Sequence, residues 1–168
     1  MHLATAAFLT GLLAGPAAAE VSTTTPPAVP SNFAVAGRAV ILTVHAEGAQ
    51  IYQCRTDAGG RTSWVFREPI AALMSDGKTV GRHYLGPTWE LADGNAVKGK
   101  VSASAPGTTA KDVTQLKLDV VERRGAGVLN DAALVLRLNT HGGALEGACD
   151  HAGEFRAEPY SADYAFLR

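Results

Sequence analysis

Residues 70–101 read IAALMSDGKTVGRHYLGPTWELADGNAVKGKV. Two Asp-Gly pairs punctuate this stretch. Asp76-Gly77 separates Ile70–Met74 from Thr79–Leu85, and Asp93-Gly94 separates Thr88–Leu91 from Ala96–Val101. Asp-Gly between apolar runs signals a tight hairpin, because both residues tolerate positive φ. Ile70–Met74 also suits one helical turn after Pro69, so the second pair is the stronger signal. Gly86-Pro87 breaks the chain once more, since proline cannot donate to a ladder. Short strands linked by turns follow from this segment.

The flanks repeat the pattern. Val40-Ile41-Leu42-Thr43-Val44, within Arg38–His45, is a β-branched run that suits a buried strand. Gln50–Cys54 and Ser63–Phe66 read as further strands, with Asp57–Gly60 as a turn between them. In Gln50–Cys54, Tyr52 and Cys54 share one face; in Ser63–Phe66, Trp64 and Phe66 do. Leu116, Leu118 and Val120 alternate with Lys117 and Asp119. Leu134, Leu136 and Leu138 alternate with Arg137 and Asn139, and Tyr160, Ala162, Tyr164 and Phe166 alternate near the end. Period two with one apolar face is the mark of a half-buried strand. The expected fold is mainly β, an antiparallel β-sandwich or barrel of about seven to nine strands with little helix.

Composition agrees with a folded domain and narrows the function. Apolar residues make up 46% of 168 and charged residues 18%. Fifteen Lys and Arg against sixteen Asp and Glu leave a net charge of −1. A nucleic-acid binder needs a basic surplus that is missing here.

Residues 1–19 contain no Lys, Arg, Asp or Glu. Phe8, Leu9, Leu12 and Leu13 form an apolar centre, and Ala17-Ala18-Ala19 supplies the small residues of a signal-peptidase site. The apolar run is shorter than the roughly 20 residues a membrane span requires. The expectation is a signal peptide over 1–19, cleaved before Glu20, with no membrane span afterwards and a secreted or periplasmic product. Residues 20–32, rich in Thr and Pro, read as a flexible leader, and 33–168 as one domain. Export also makes a Cys54–Cys149 disulfide the expectation, against two separate buried thiols.

The richest chemistry lies in Gly81–Asn95. His83, Tyr84, Trp89, Glu90 and Asp93 are the candidate ligand-binding residues. Trp89 and Tyr84 offer large rings with polar edges, and His83 titrates near neutral pH when unperturbed. The plainer reading makes Tyr84 and Trp89 core, Asp93 a turn former and Glu90 an ion-pair partner of Arg82 or Lys98. Metal chemistry finds little support. His141 and Cys149-Asp150-His151 carry ligand-type side chains without a ligand spacing, so no metal and no cofactor is expected. There is no P-loop and no Gly-x-Ser-x-Gly elbow. Gly125–Asn130 lacks the βαβ setting of a dinucleotide site.

The motifs Gly48–Cys54, Trp64 with Arg67-Glu68-Pro69, Gly81–Glu90, Asp93-Gly94-Asn95, Arg137–Gly143 with Cys149, and Tyr160–Leu167 together resemble the exported bacterial and fungal proteins of the DUF3455 family. Val113-Thr114-Gln115-Leu116 stands where the family pattern has Ile-Pro-Trp-Leu. The resemblance implies export and a single domain, and implies no activity. The leading expectation is therefore an exported β domain that binds a small molecule, a glycan or another envelope component. The alternatives are an enzyme of unassigned class, using His83 with Glu90 or Asp93 as acid and base, and a structural or interaction module.

Overall fold

The computed structural model describes residues 28–168. The expected signal peptide and most of the expected leader lie outside the described residues. Eight strands run in chain order: β1 (Val40–Thr56), β2 (Thr62–Ser75), β3 (Lys78–Tyr84), β4 (Thr88–Leu91), β5 (Ala96–Ala105), β6 (Gln115–Arg124), β7 (Leu134–Gly142) and β8 (Phe155–Leu167). Each pairs antiparallel with the next, and β8 returns to β1, so the sheet closes into an up-and-down barrel. Closure leaves no edge strand exposed.

Three local readings are revised by this architecture. Val40–Val44 and Gln50–Cys54 belong to one strand, because Ala46–Ala49 pair with β2 on one side and β8 on the other. Trp64 and Ile70–Met74 likewise lie on one strand, β2, which excludes the helical turn after Pro69. The Asp-Gly hairpins stand as read. Asp76 and Gly77 both take positive φ, 49° and 72°, the twist-matched geometry of a two-residue turn.

The third revision concerns β7. Leu134, Leu136 and Leu138 are buried, but on the outside of the barrel. There they meet Phe33, Ala165 and Leu167, with Val29 and Val35 packed alongside. Phe33 is fully buried and ends a 3₁₀ turn over Ser31–Phe33, and Asn32 Nδ2 donates to Ser104 O at 3.0 Å. The end of the expected leader is thus docked on the wall, where burying a Phe side chain contributes about 1.5–3 kcal/mol. By alternation, the lumen side of β7 carries Val135 and Arg137.

One end of the barrel is closed. Leu129, in the 3₁₀ turn Val128–Asp131, is fully buried there. Its N–H donates to Asn95 Oδ1 at 2.8 Å. Gly125 and Gly127 therefore serve this plug. Inward side chains fill the middle, among them Val44, Leu73, Trp89, Val97, Leu118, Val135 and Phe166. Gly99 makes room for the indole, since a Cβ there would meet Trp89 at 3.2 Å and Leu118 at 3.0 Å. The opposite end stays open.

Candidate ligand-binding site at the open end of the barrel

Four connections surround the open end: residues 57–61, 85–87, 106–114 and 143–154. The last two are tied down. Asp112 Oδ1 accepts from Gly142 N at 2.7 Å, Oδ2 accepts from Thr109 N at 2.8 Å, and Val113 N donates to Gly142 O at 2.9 Å. The Gly142 N–H is the main cause holding the Asp112 carboxyl below its ordinary range. These bonds lay Val113 and Thr114 against the opening. The 143–154 connection is joined to the end of β1 by the Cys54–Cys149 disulfide, with Cα atoms 5.9 Å apart. It is also bound by Tyr52, whose hydroxyl donates to Gly143 O at 2.8 Å. Gly143 is required at its position: φ is +82°, and a Cβ would lie 2.7 Å from that of Tyr160 and 2.9 Å from Gln50 Cγ.

A cavity of about 430 Å³ opens between these segments. Phe66, Leu85, Pro87, Val101, Val113 and Leu116 supply apolar walls, and Gln50, His83 and Arg137 supply polar groups. Its size and its mixture of apolar wall and few polar groups match a small-molecule site. Gln50 is 1% exposed, and its amide is turned toward the Tyr160 hydroxyl, beyond 3.5 Å. Arg137 Nε donates to Thr114 O at 3.0 Å and Nη2 to Thr114 Oγ1 at 3.4 Å. Below them lie Tyr160 and Tyr164, with hydroxyls 3.5 Å apart. Burial pushes both phenols up, and the Arg137 cation opposes part of that rise.

The candidate residues from Gly81–Asn95 divide between the two faces of the wall. His83 and Trp89 are register partners and both point inward. Their rings stack at 4.7 Å with 7° between planes, and Trp89 meets Tyr164 edge-on at 5.2 Å. His83 Nδ1 lies 2.9 Å from Thr88 O. A carbonyl only accepts, so Nδ1 carries the proton and Nε2 is the acceptor. Burial pushes the imidazole down to about 3, against the opposing Thr88 bond, with a smaller push from Arg137. His83 is therefore neutral at physiological pH.

Tyr84 and Glu90 point outward. The Tyr84 hydroxyl donates to Glu90 Oε2 at 2.6 Å, Arg82 Nη2 to Oε1 at 3.0 Å, and Arg124 Nη2 to Oε2 at 2.6 Å. These contacts, the tyrosine bond first, hold the Glu90 carboxyl below its ordinary range. Asp93 sits at the closed end, where Oδ1 accepts from Asn95 N at 2.9 Å. His83 thus shares no cavity with Glu90 or Asp93, and the acid–base pairing considered for them has a wall between its members. Trp89 offers no free stacking face, being 1% exposed, and the Arg82 guanidinium lies 5.0 Å from the Tyr84 ring centre. Tyr84 also lines a second, outer hollow of about 410 Å³ with Lys98 and Arg124. Lys98 pairs with Glu122 rather than Glu90. Among the described residues no group of three or more His, Cys, Asp and Glu side chains comes together, and Cys149 is committed to its bridge.

Sequence reading missed Gln50, Leu116 and Arg137 as site residues. A signal for Arg137 exists: Leu134-Val135-Leu136 is apolar on both faces, so neither side of β7 faces open water, and its arginine must enter a covered region.

A family described as "Protein of unknown function (DUF3455)" matches residues 35–168. The chain belongs to the DUF3455 family. The matched residues take in all eight strands and every residue lining the cavity, so the DUF3455 region includes the whole barrel. No curated protein and no solved structure matches it. The departure at Val113-Thr114-Gln115-Leu116 falls on the cavity rim, where Val113, Thr114 and Leu116 are lining residues.

Proposed function

We propose that this DUF3455 protein is an exported binding module that takes a small molecule, apolar body outermost and polar head inward, into the open end of its barrel. The observation that carries the reading is the cavity itself: about 430 Å³, apolar-walled, with Gln50, His83 and Arg137 among its few polar groups. A binder is favoured over an acid–base enzyme because His83 is held neutral and has no carboxylate beside it. A glycan is the less favoured ligand, because Trp89, the larger ring that would stack a sugar, is covered.

The test uses 2-naphthylethanol, 2-naphthylacetamide and 2-naphthylacetate, titrated calorimetrically. At about 0.3 kcal/mol for each of about 14 non-hydrogen atoms, the best should bind one to one at about 1 mM or tighter. Val101→Trp and Leu116→Trp fill the cavity and should each weaken that binding about tenfold or more while the protein stays folded. Unchanged binding in folded Val101→Trp puts the ligand elsewhere. Export rests on the N-terminal residues and on the bridge, which suits an oxidising compartment. Exported protein should begin at Glu20, and an intact mass that retains Met1–Ala19 would refute cleavage there.

A further inference from the structure

We infer that the head group received at the inner end of the cavity is a carboxylate, held by Arg137 with Gln50 as second donor. The inference rests on the binding reading above and specifies its chemistry.

Arg137 enters the lumen because Leu136 and Leu138 are taken by the outer cluster with Phe33. Its register partners Leu116 and Tyr164 face the same interior. Two of its donors are used on Thr114 and another is turned to the Tyr164 hydroxyl, and a guanidinium has five. The other cation lining the cavity, Arg67, pairs with Glu68 at 3.2 Å. Among the described residues no carboxylate lies within 4.0 Å of Arg137. The side chains that feel its charge from inside the barrel are Tyr52, Tyr160, Tyr164 and the neutral His83. Arg137 is half-buried, and a half-covered cation without a counter-charge gains from one anionic partner.

Three features select a carboxylate with an apolar body. The planar guanidinium fork matches a carboxylate. The Gln50 amide lines the same cavity and can turn from the Tyr160 hydroxyl to add a donor. His83 Nε2, an acceptor, opposes the further anionic oxygens that a phosphate would bring. Phe66, Leu85, Val113 and Leu116 then enclose an apolar body rather than a second charge.

The comparison of 2-naphthylacetate with 2-naphthylacetamide, on the full folded domain, isolates the charge. The acid should bind about tenfold or more tighter than the amide, the usual advantage of charge-assisted bonds. R137Q should abolish that preference and leave amide affinity within about twofold. R137K should retain part of it, and Q50L should weaken the acid several-fold. Equal binding of acid and amide by the wild type overturns the carboxylate assignment while leaving the binding reading intact. A preference that persists in R137Q, or in folded Val101→Trp, overturns it as well. Should neither arginine variant fold, the wild-type ratio decides. Failure of acid, amide and alcohol alike to bind removes the binding reading and the inference together.

Discussion

Exchanging both cysteines, Cys54→Ala with Cys149→Ala, is expected to lower stability by about 4–5 kcal/mol. The bridge closes a loop of 95 positions, and chain entropy credits a loop near 100 residues with about 4.7 kcal/mol. That is a large share of the roughly 5–15 kcal/mol that holds a domain folded. Native bonding should add to it. Cys54 N donates to Glu154 O, Gly153 N donates to Cys54 O, and Trp64 N donates to Gly147 O. Losing the bridge loosens the segment that makes these bonds and frames Tyr52. Urea denaturation of the oxidised wild type and the double variant reads the difference directly. A midpoint unchanged by the double substitution would mean that the sheet ladders alone fix the 143–154 connection.

The second large effect is acid lability centred on His83. In the unfolded chain its imidazole titrates at the ordinary 6.5, while in the barrel burial depresses it to about 3. As pH falls below 6.5 the unfolded chain binds the proton first, so stability is complete above that value. It is lost progressively between 6.5 and 3. At about 1.4 kcal/mol per pH unit, the loss reaches about 3 kcal/mol by pH 4.5 and approaches about 5 kcal/mol near pH 3. Glu90 and Asp112 also lose stabilisation in acid, because their folded values are depressed. Their loss begins only around and below their ordinary values of 4.5 and 3.8. The interval from 6.5 to 4.5 therefore isolates the histidine. His83→Phe should flatten the stability profile there, even though it forfeits the Thr88 bond and is less stable at neutral pH. A wild-type profile that is flat over the same interval would show that the imidazole accepts a proton without unfolding.

The extent to which the candidate site was legible follows from one property of strands. Period two says that His83 and Tyr84 point to opposite faces, and it says the same of Trp89 and Glu90. It does not say that β3 and β4 pair with His83 opposite Trp89 and Arg82 opposite Glu90. That register puts one pair of candidates in the lumen and the other in an outer ion-pair cluster. Proximity in the chain had joined them, and pairing separated them. Gln50, Leu116 and Arg137 come from β1, β6 and β7, and only closure of the sheet brings them to one end.

From the sequence alone came the antiparallel β class, the Asp76-Gly77 and Asp93-Gly94 hairpins and the cysteine pair. Each is local: an alternating run, a turn chemistry, or a count of two thiols. The tertiary structure decided between sandwich and barrel, because β8 pairs with β1 through backbone groups that no side-chain pattern reports. It also decided which face of β7 looks inward. Both faces of Leu134–Leu138 are covered, one by the barrel interior and one by Phe33 and its neighbours. Apolar periodicity marks a buried face without telling inside from outside. Arg137 owes its place in the cavity to that choice.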